Sequence, residues 1–196
     1  MSTRIIVAGI LGGVAMFIWT SIAHMVLPLG EAGVREIPDQ QTVLGCMSTS
    51  IGDKAGLYIF PGMGLGPDAT REQKKEAMRQ MGENYAKNPS GLLIYHPAGR
   101  PLAIGKLLGV EFATEVLEAI LAVSLLAQTR LSSFGARVGF VTVAGILAAL
   151  ATNVSYWNWY GFPAVYTGSY MSIQVIGFLC AGIVAALVMG RRTAAT

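Results

Sequence analysis

Four long, mainly apolar runs, residues 5–27, 104–127, 137–156 and 169–190, divide the chain, and each matches the roughly 20 residues that a helix needs to cross a hydrocarbon core. A polar stretch, residues 28–100, separates the first run from the second, and it is too long to be a bare connection. Its own pattern changes along its length. After Asp39, a natural helix N-cap, Val43, Leu44, Met47 and Ile51 recur at helical spacing, and Gly52-Asp53 then marks a turn. Gly56-Leu57-Tyr58-Ile59-Phe60-Pro61 and Gly91-Leu92-Leu93-Ile94-Tyr95-His96-Pro97 are two short β-rich runs of nearly the same design, expected to pair. Between them, Asp68 is expected to open a strongly polar helix that runs to about Lys87, with Met78, Met81 and Tyr85 as its thin apolar stripe. The pattern therefore predicts an all-α membrane bundle of four transmembrane helices, with a small α/β extracytoplasmic insertion between helices 1 and 2.

Composition agrees with that reading. Mean hydropathy is +0.54, and 13% of the residues are charged, against about a quarter in a soluble domain. Arg4, Arg130, Arg137, Arg191 and Arg192 fall on one side of the membrane if the chain crosses four times, which places both termini in the cytoplasm by the positive-inside rule. The net charge of +3 then reflects topology and contact with lipid headgroups, and no basic stripe suggests nucleic acid. Cys46 and Cys180 fall at different membrane depths and form no C-x-x-C pair, which disfavours thiol-redox chemistry. The linker Pro61-Gly62-Met63-Gly64-Leu65-Gly66-Pro67 lacks the Lys-Ser/Thr of a phosphate loop and reads as a flexible turn.

The second run carries the chemistry. Glu111, Glu115 and Glu118, spaced four and then three residues apart, share one helical face. An acidic residue near a bilayer centre costs about 2.5 to 3.5 kcal/mol on insertion scales, so neighbouring helices must shelter that face. Apart from Arg137 at the cytoplasmic start of the third run, their spans carry no Lys or Arg to pair with it, and adjacent carboxyls resist simultaneous ionisation. A proton, a metal ion or a cationic ligand is the expected neutraliser. By depth, His24 at the end of the first run, Asn153 at the end of the third and Gln174 near the start of the fourth reach the same outer level. Glu111, Glu115, Glu118, His24, Asn153 and Gln174 are accordingly the candidate proton or cation site, facing outward.

Other readings stay open. The glutamates could instead be protonated glue, hydrogen-bonded to Asn153 or Gln174, or could pack against a partner membrane protein or a second copy, as in an accessory or assembly subunit. His24 beside Glu111 could ligate a metal, with Met25, Cys46, Met47 and Met63 as softer donors that fit no metal motif. A membrane enzyme acting on a lipid-borne substrate would use a Glu and His24 as acid and base, without any nucleophile motif. The sequence specifies no cofactor. Residues 157–168 read as an aromatic outer loop in which Trp157, Trp159 and Tyr160 anchor at the membrane interface.

The stretches 19–30, 56–62 and 92–99, together with Tyr156-Trp157-Asn158-Trp159-Tyr160-Gly161-Phe162-Pro163, resemble a group of uncharacterised bacterial four-span membrane proteins. That resemblance implies the same topology in a bacterial cytoplasmic membrane, and it implies no activity.

Overall fold

The computed structural model describes residues 3–190; Arg191 and Arg192, used above to argue topology, lie outside the described residues. Among the described residues there are six helices and one two-stranded sheet: α1 (Thr3–Met25), α2 (Gln40–Ile51), β1 (Gly56–Phe60), α3 (Arg71–Lys87), β2 (Gly91–Tyr95), α4 (Ile104–Ala127), α5 (Phe134–Tyr160) and α6 (Ala164–Met189). The described residues form two compact units, one of residues 3–35 and 102–190 and one of residues 36–101.

Four long helices make up the first unit. α1 packs against both α4 and α6, α6 also packs against α5, and α4 meets α5 and α6 more sparsely. Small residues set these contacts, because without a Cβ a helix backbone can lie directly on its neighbour. A Cβ on Gly9 would strike Ile120, and one on Gly13 would strike the backbone of Val116. Since the partner number falls as the α1 number rises, the two helices run antiparallel. By the same logic Gly12 lies on Ala181 and Gly177 beside Met16 and Trp19, and Gly145 lies on Phe178 and Gly182 on Val141. Met16, Ala119, Ala122, Leu126, Val141, Phe178 and Ala181 form the buried core where all four helices meet.

Three of these helices, α1, α5 and α6, are long and apolar enough to cross a membrane. α4 is not one of them. It has 24 residues, about 36 Å at 1.5 Å per residue, but every 18-residue stretch of it holds Glu111, Glu115 and Glu118. The expectation of four equivalent apolar spans is thus corrected to three, and the reason is the acidic row itself.

α5 also differs from expectation. It continues through Tyr160 and ends at Gly161, whose φ of 68° suits glycine, so the connection to α6 is only Gly161, Phe162 and Pro163 rather than a loop over 157–168. Trp157, Trp159 and Tyr160 are exposed on the last turn of a helix.

In the second unit β1 and β2 pair antiparallel, Leu57 opposite Ile94 and Ile59 opposite Leu92. Tyr95, the one buried hydrophobic of this unit among the described residues, packs edge-on against Tyr58, and its hydroxyl donates to Gly52 O at 3.0 Å. Asp39 caps α2, accepting from Thr42 N. α3 begins at Arg71, three residues beyond the expected Asp68: Thr70 is its N-cap and forms a reciprocal capping box with Gln73.

Candidate functional site

The glycine stripe that brings α1 onto α4 continues outward as Phe17, Thr20 and His24, at spacings of four, three and four residues. Phe17 meets Phe112 edge to face at 5.3 Å between ring centroids. One turn on, Thr20 Oγ1 donates a hydrogen bond to Glu115 Oε1 at 2.5 Å. Glu115 is only 6% exposed, and among the described residues nothing hydrogen-bonds its other oxygen, Oε2, which is also buried. A carboxyl desolvated to this degree with one oxygen unmatched is costly to keep ionised and has room in its hydrogen-bonding capacity for a proton or a cation.

Its neighbours on α4 are placed differently. Glu111, a turn closer to the start of the helix, is exposed, and Glu118 is half-buried. Both stand about one turn from Glu115 on the same face of α4. The row therefore separates into one sheltered carboxyl and two flanking ones.

His24 is exposed, and its Nδ1 lies 2.9 Å from the backbone oxygen of Thr20, the residue that holds Glu115. With Nδ1 donating to that carbonyl, Nε2 is the basic nitrogen of the neutral ring. Gly30 covers one side of the imidazole, where any Cβ would collide with it. The edge of Tyr170 approaches with ring centroids 5.8 Å apart. From Tyr170 a run of ring contacts continues through Tyr166 at 4.4 Å, Phe162 and Tyr156 to Tyr160, linking His24 to the aromatic end of α5.

Asn153 and Gln174 belong to a separate cluster. Asn153 Nδ2 donates to Ala149 O at 3.0 Å and to Gln174 Oε1 at 3.4 Å, and Thr152 Oγ1 donates to the same Gln174 oxygen at 3.3 Å. These bonds join α5 to α6. Among the described residues neither Asn153 nor Gln174 is hydrogen-bonded to a glutamate: Glu115 is bonded by Thr20, and Gln174 by Asn153 and Thr152.

No family model, curated protein sequence or solved structure matches the chain. Among the described residues no three His, Cys, Asp or Glu side chains converge as they would around a metal ion. His96 sits in the other unit, where its Nε2 lies 2.6 Å from Arg100 Nη1. Cys46 is exposed, Cys180 is half-buried, and both are free.

The sequence pattern set His24 at the level of the glutamates, but it did not bring out the pairing of Thr20 with Glu115 or the place of Tyr170. The usable signal was the stripe Gly9, Gly13, Phe17, Thr20, His24: once the glycines fix which face of α1 meets α4, Thr20 follows.

Proposed function

We propose that this chain is an integral protein of the bacterial cytoplasmic membrane, with both termini in the cytoplasm, in which α4 is a fourth crossing helix and Glu115 takes up and releases a proton or a monovalent cation from the outer side. The observation that carries the reading is the nearly full burial of the Glu115 carboxyl, with Oε1 held by Thr20 and Oε2 unmatched. An intramembrane acid so placed is functional by default, because insertion selects against it otherwise. α4 as a span is supported by its length and by its antiparallel packing along α1, which shelters the most costly of its three carboxyls. The cytoplasmic placement of the termini is supported by the meeting of Arg4 and Arg137 at one end of the unit.

His24 supplies the outward connection in this scheme. It is exposed, and it sits one helical turn from Thr20 at the mouth side of Glu115. Proton exchange would pass between water, His24 and Glu115, with Thr20 orienting the carboxyl.

The test uses protein in liposomes that enclose a pH-sensitive dye, challenged with Na⁺ or K⁺ gradients. The expected result is a protein-dependent internal pH change that Glu115→Gln abolishes and Glu111→Gln only weakens. An equal response from Glu115→Gln would overturn the site.

The accessory-subunit reading draws on a different observation. α4 exposes Glu111 together with Leu107, Leu108, Val110, Phe112, Leu117, Leu121 and Leu125. An acidic side chain on an otherwise apolar exposed face suits a partner helix with a polar group at that level. Stable copurification with a membrane complex, unaltered by Glu115→Gln and lost in Glu111→Leu, would favour it.

A further inference from the structure

At the end of the helical unit opposite Glu115, two arginines close on the last turn of α6. Arg137, in the first turn of α5, is only 2% exposed and is the largest fully buried side chain of the described residues. Its Nε donates to Leu131 O at 3.0 Å and its Nη1 to Gly190 O. Arg4, in the first turn of α1, is exposed and donates from Nε to Val188 O at 2.9 Å, and its Nη2 lies 2.7 Å from where a Cβ on Gly190 would stand. Both guanidiniums thus flank Gly190, whose φ of 63° and missing Cβ leave room for them.

Among the described residues the cluster lacks negative charge. No Asp or Glu occurs in the sequence before Glu31 or after Glu118, and among the described residues none lies within salt-bridge distance of Arg4, Arg130 or Arg137. The carbonyls and the helix end of α6 offset roughly half an elementary charge, against two formal positive charges. A buried guanidinium that meets only carbonyl oxygens is under-compensated. The exposed guanidinium of Arg4 presents N–H groups that match the oxygens of a phosphate group.

We propose that this end of the unit binds the phosphate of an anionic phospholipid headgroup, with Arg4 as its direct contact, Arg137 as the fixed charge behind it, and Arg130 at the rim. A lipid is favoured over a soluble phosphate because the arginines stand at the ends of α1, α5 and α6, the helices long and apolar enough to cross a membrane. Ile6, Val7 and Phe134, in the same first turns, are 40%, 42% and 50% exposed and offer acyl chains an apolar surface.

The test compares purified protein in nanodiscs of phosphatidylcholine alone and of phosphatidylcholine with phosphatidylglycerol, read by thermal unfolding and by native mass spectrometry of the lipid retained. Phosphatidylglycerol is expected to raise the unfolding temperature and to stay bound. Arg4→Gln should weaken its retention roughly fivefold, as expected for one basic residue at an anionic surface. Arg4→Lys, which keeps the charge and loses the fork, should recover only part of the retention lost in Arg4→Gln, and Lys106→Gln, at the opposite end of α4, should change nothing. If the arginines only cap α6, Arg4→Gln will lower stability equally in both lipids and leave retention unchanged, which overturns the proposal. Inorganic phosphate in phosphatidylcholine reproducing the whole effect would also overturn it, by assigning the site to a soluble anion.

Discussion

The hydrogen bond between Thr20 and Glu115 can be isolated energetically. Thr20→Val keeps the side-chain shape and removes the donor, which leaves a 6% exposed carboxyl with neither oxygen matched among the described residues. Stranding a buried polar group costs about 1 to 3 kcal/mol. Glu115→Leu removes the carboxyl, and with it the reason for the donor. If the two groups are partners, Thr20→Val must cost less in the Glu115→Leu background than in the parent. Interhelical hydrogen bonds in membranes average about 0.6 kcal/mol, reaching about 1.7 kcal/mol, and the sheltered position of Glu115 places this pair in the upper half of that range. The assay is a double-mutant cycle on reversible unfolding in mixed micelles of fixed composition. A coupling within the roughly 0.3 kcal/mol expected of independent sites would refute the pairing, and with it the claim that α1 shelters the carboxyl.

Gly13→Leu should push α1 off the backbone of Val116 and cost about 1 to 3 kcal/mol in the same assay, while Gly109→Ala, where nothing lies within 4 Å, should cost nothing. Trp19→Phe removes the indole donor held 2.8 Å from Ile173 O between α1 and α6, and should lower stability by about 1 kcal/mol while leaving any Glu115-dependent pH response in place. A membrane-impermeant maleimide added to intact spheroplasts should label the exposed Cys46 and spare the half-buried Cys180; labelling of Cys46 only after lysis would invert the proposed topology.

Much of this architecture was legible as pattern. Hydrophobic length alone locates α1, α5 and α6, and the Gly-led, Pro-closed runs locate β1 and β2 as partners. Hydropathy cannot decide α4, because the residues that make it interesting are the ones that lower its score. The aromatic end of α5 was misjudged for a related reason: Trp157, Trp159 and Tyr160 suit a membrane interface in either a loop or a helix, and only Gly161 marks the stop. Within the site, depth along a helix was readable and azimuth was not. Asn153 and Gln174 reach the proper level, yet Gly145 and Gly182 turn α5 and α6 toward each other, so those amides satisfy one another instead of the glutamates. Arg137 was read as a topological charge, and its burial depended on the chain folding back from α6, which no local window contains.

The central place of α1 shapes how the molecule comes together. α5 and α6 are chain neighbours joined by three residues and can zip up as soon as they are made, but α1 has to wait for α4 across the intervening unit and for α6 until nearly the whole polypeptide has been synthesised. At about 5 to 20 residues per second that delay lasts many seconds, during which the faces of Gly9, Gly12 and Gly13 have no permanent neighbour. Loss of the last helix during biogenesis would therefore strand the first, and quality control that senses an orphaned amino-terminal segment would report on completion of the carboxy-terminal one.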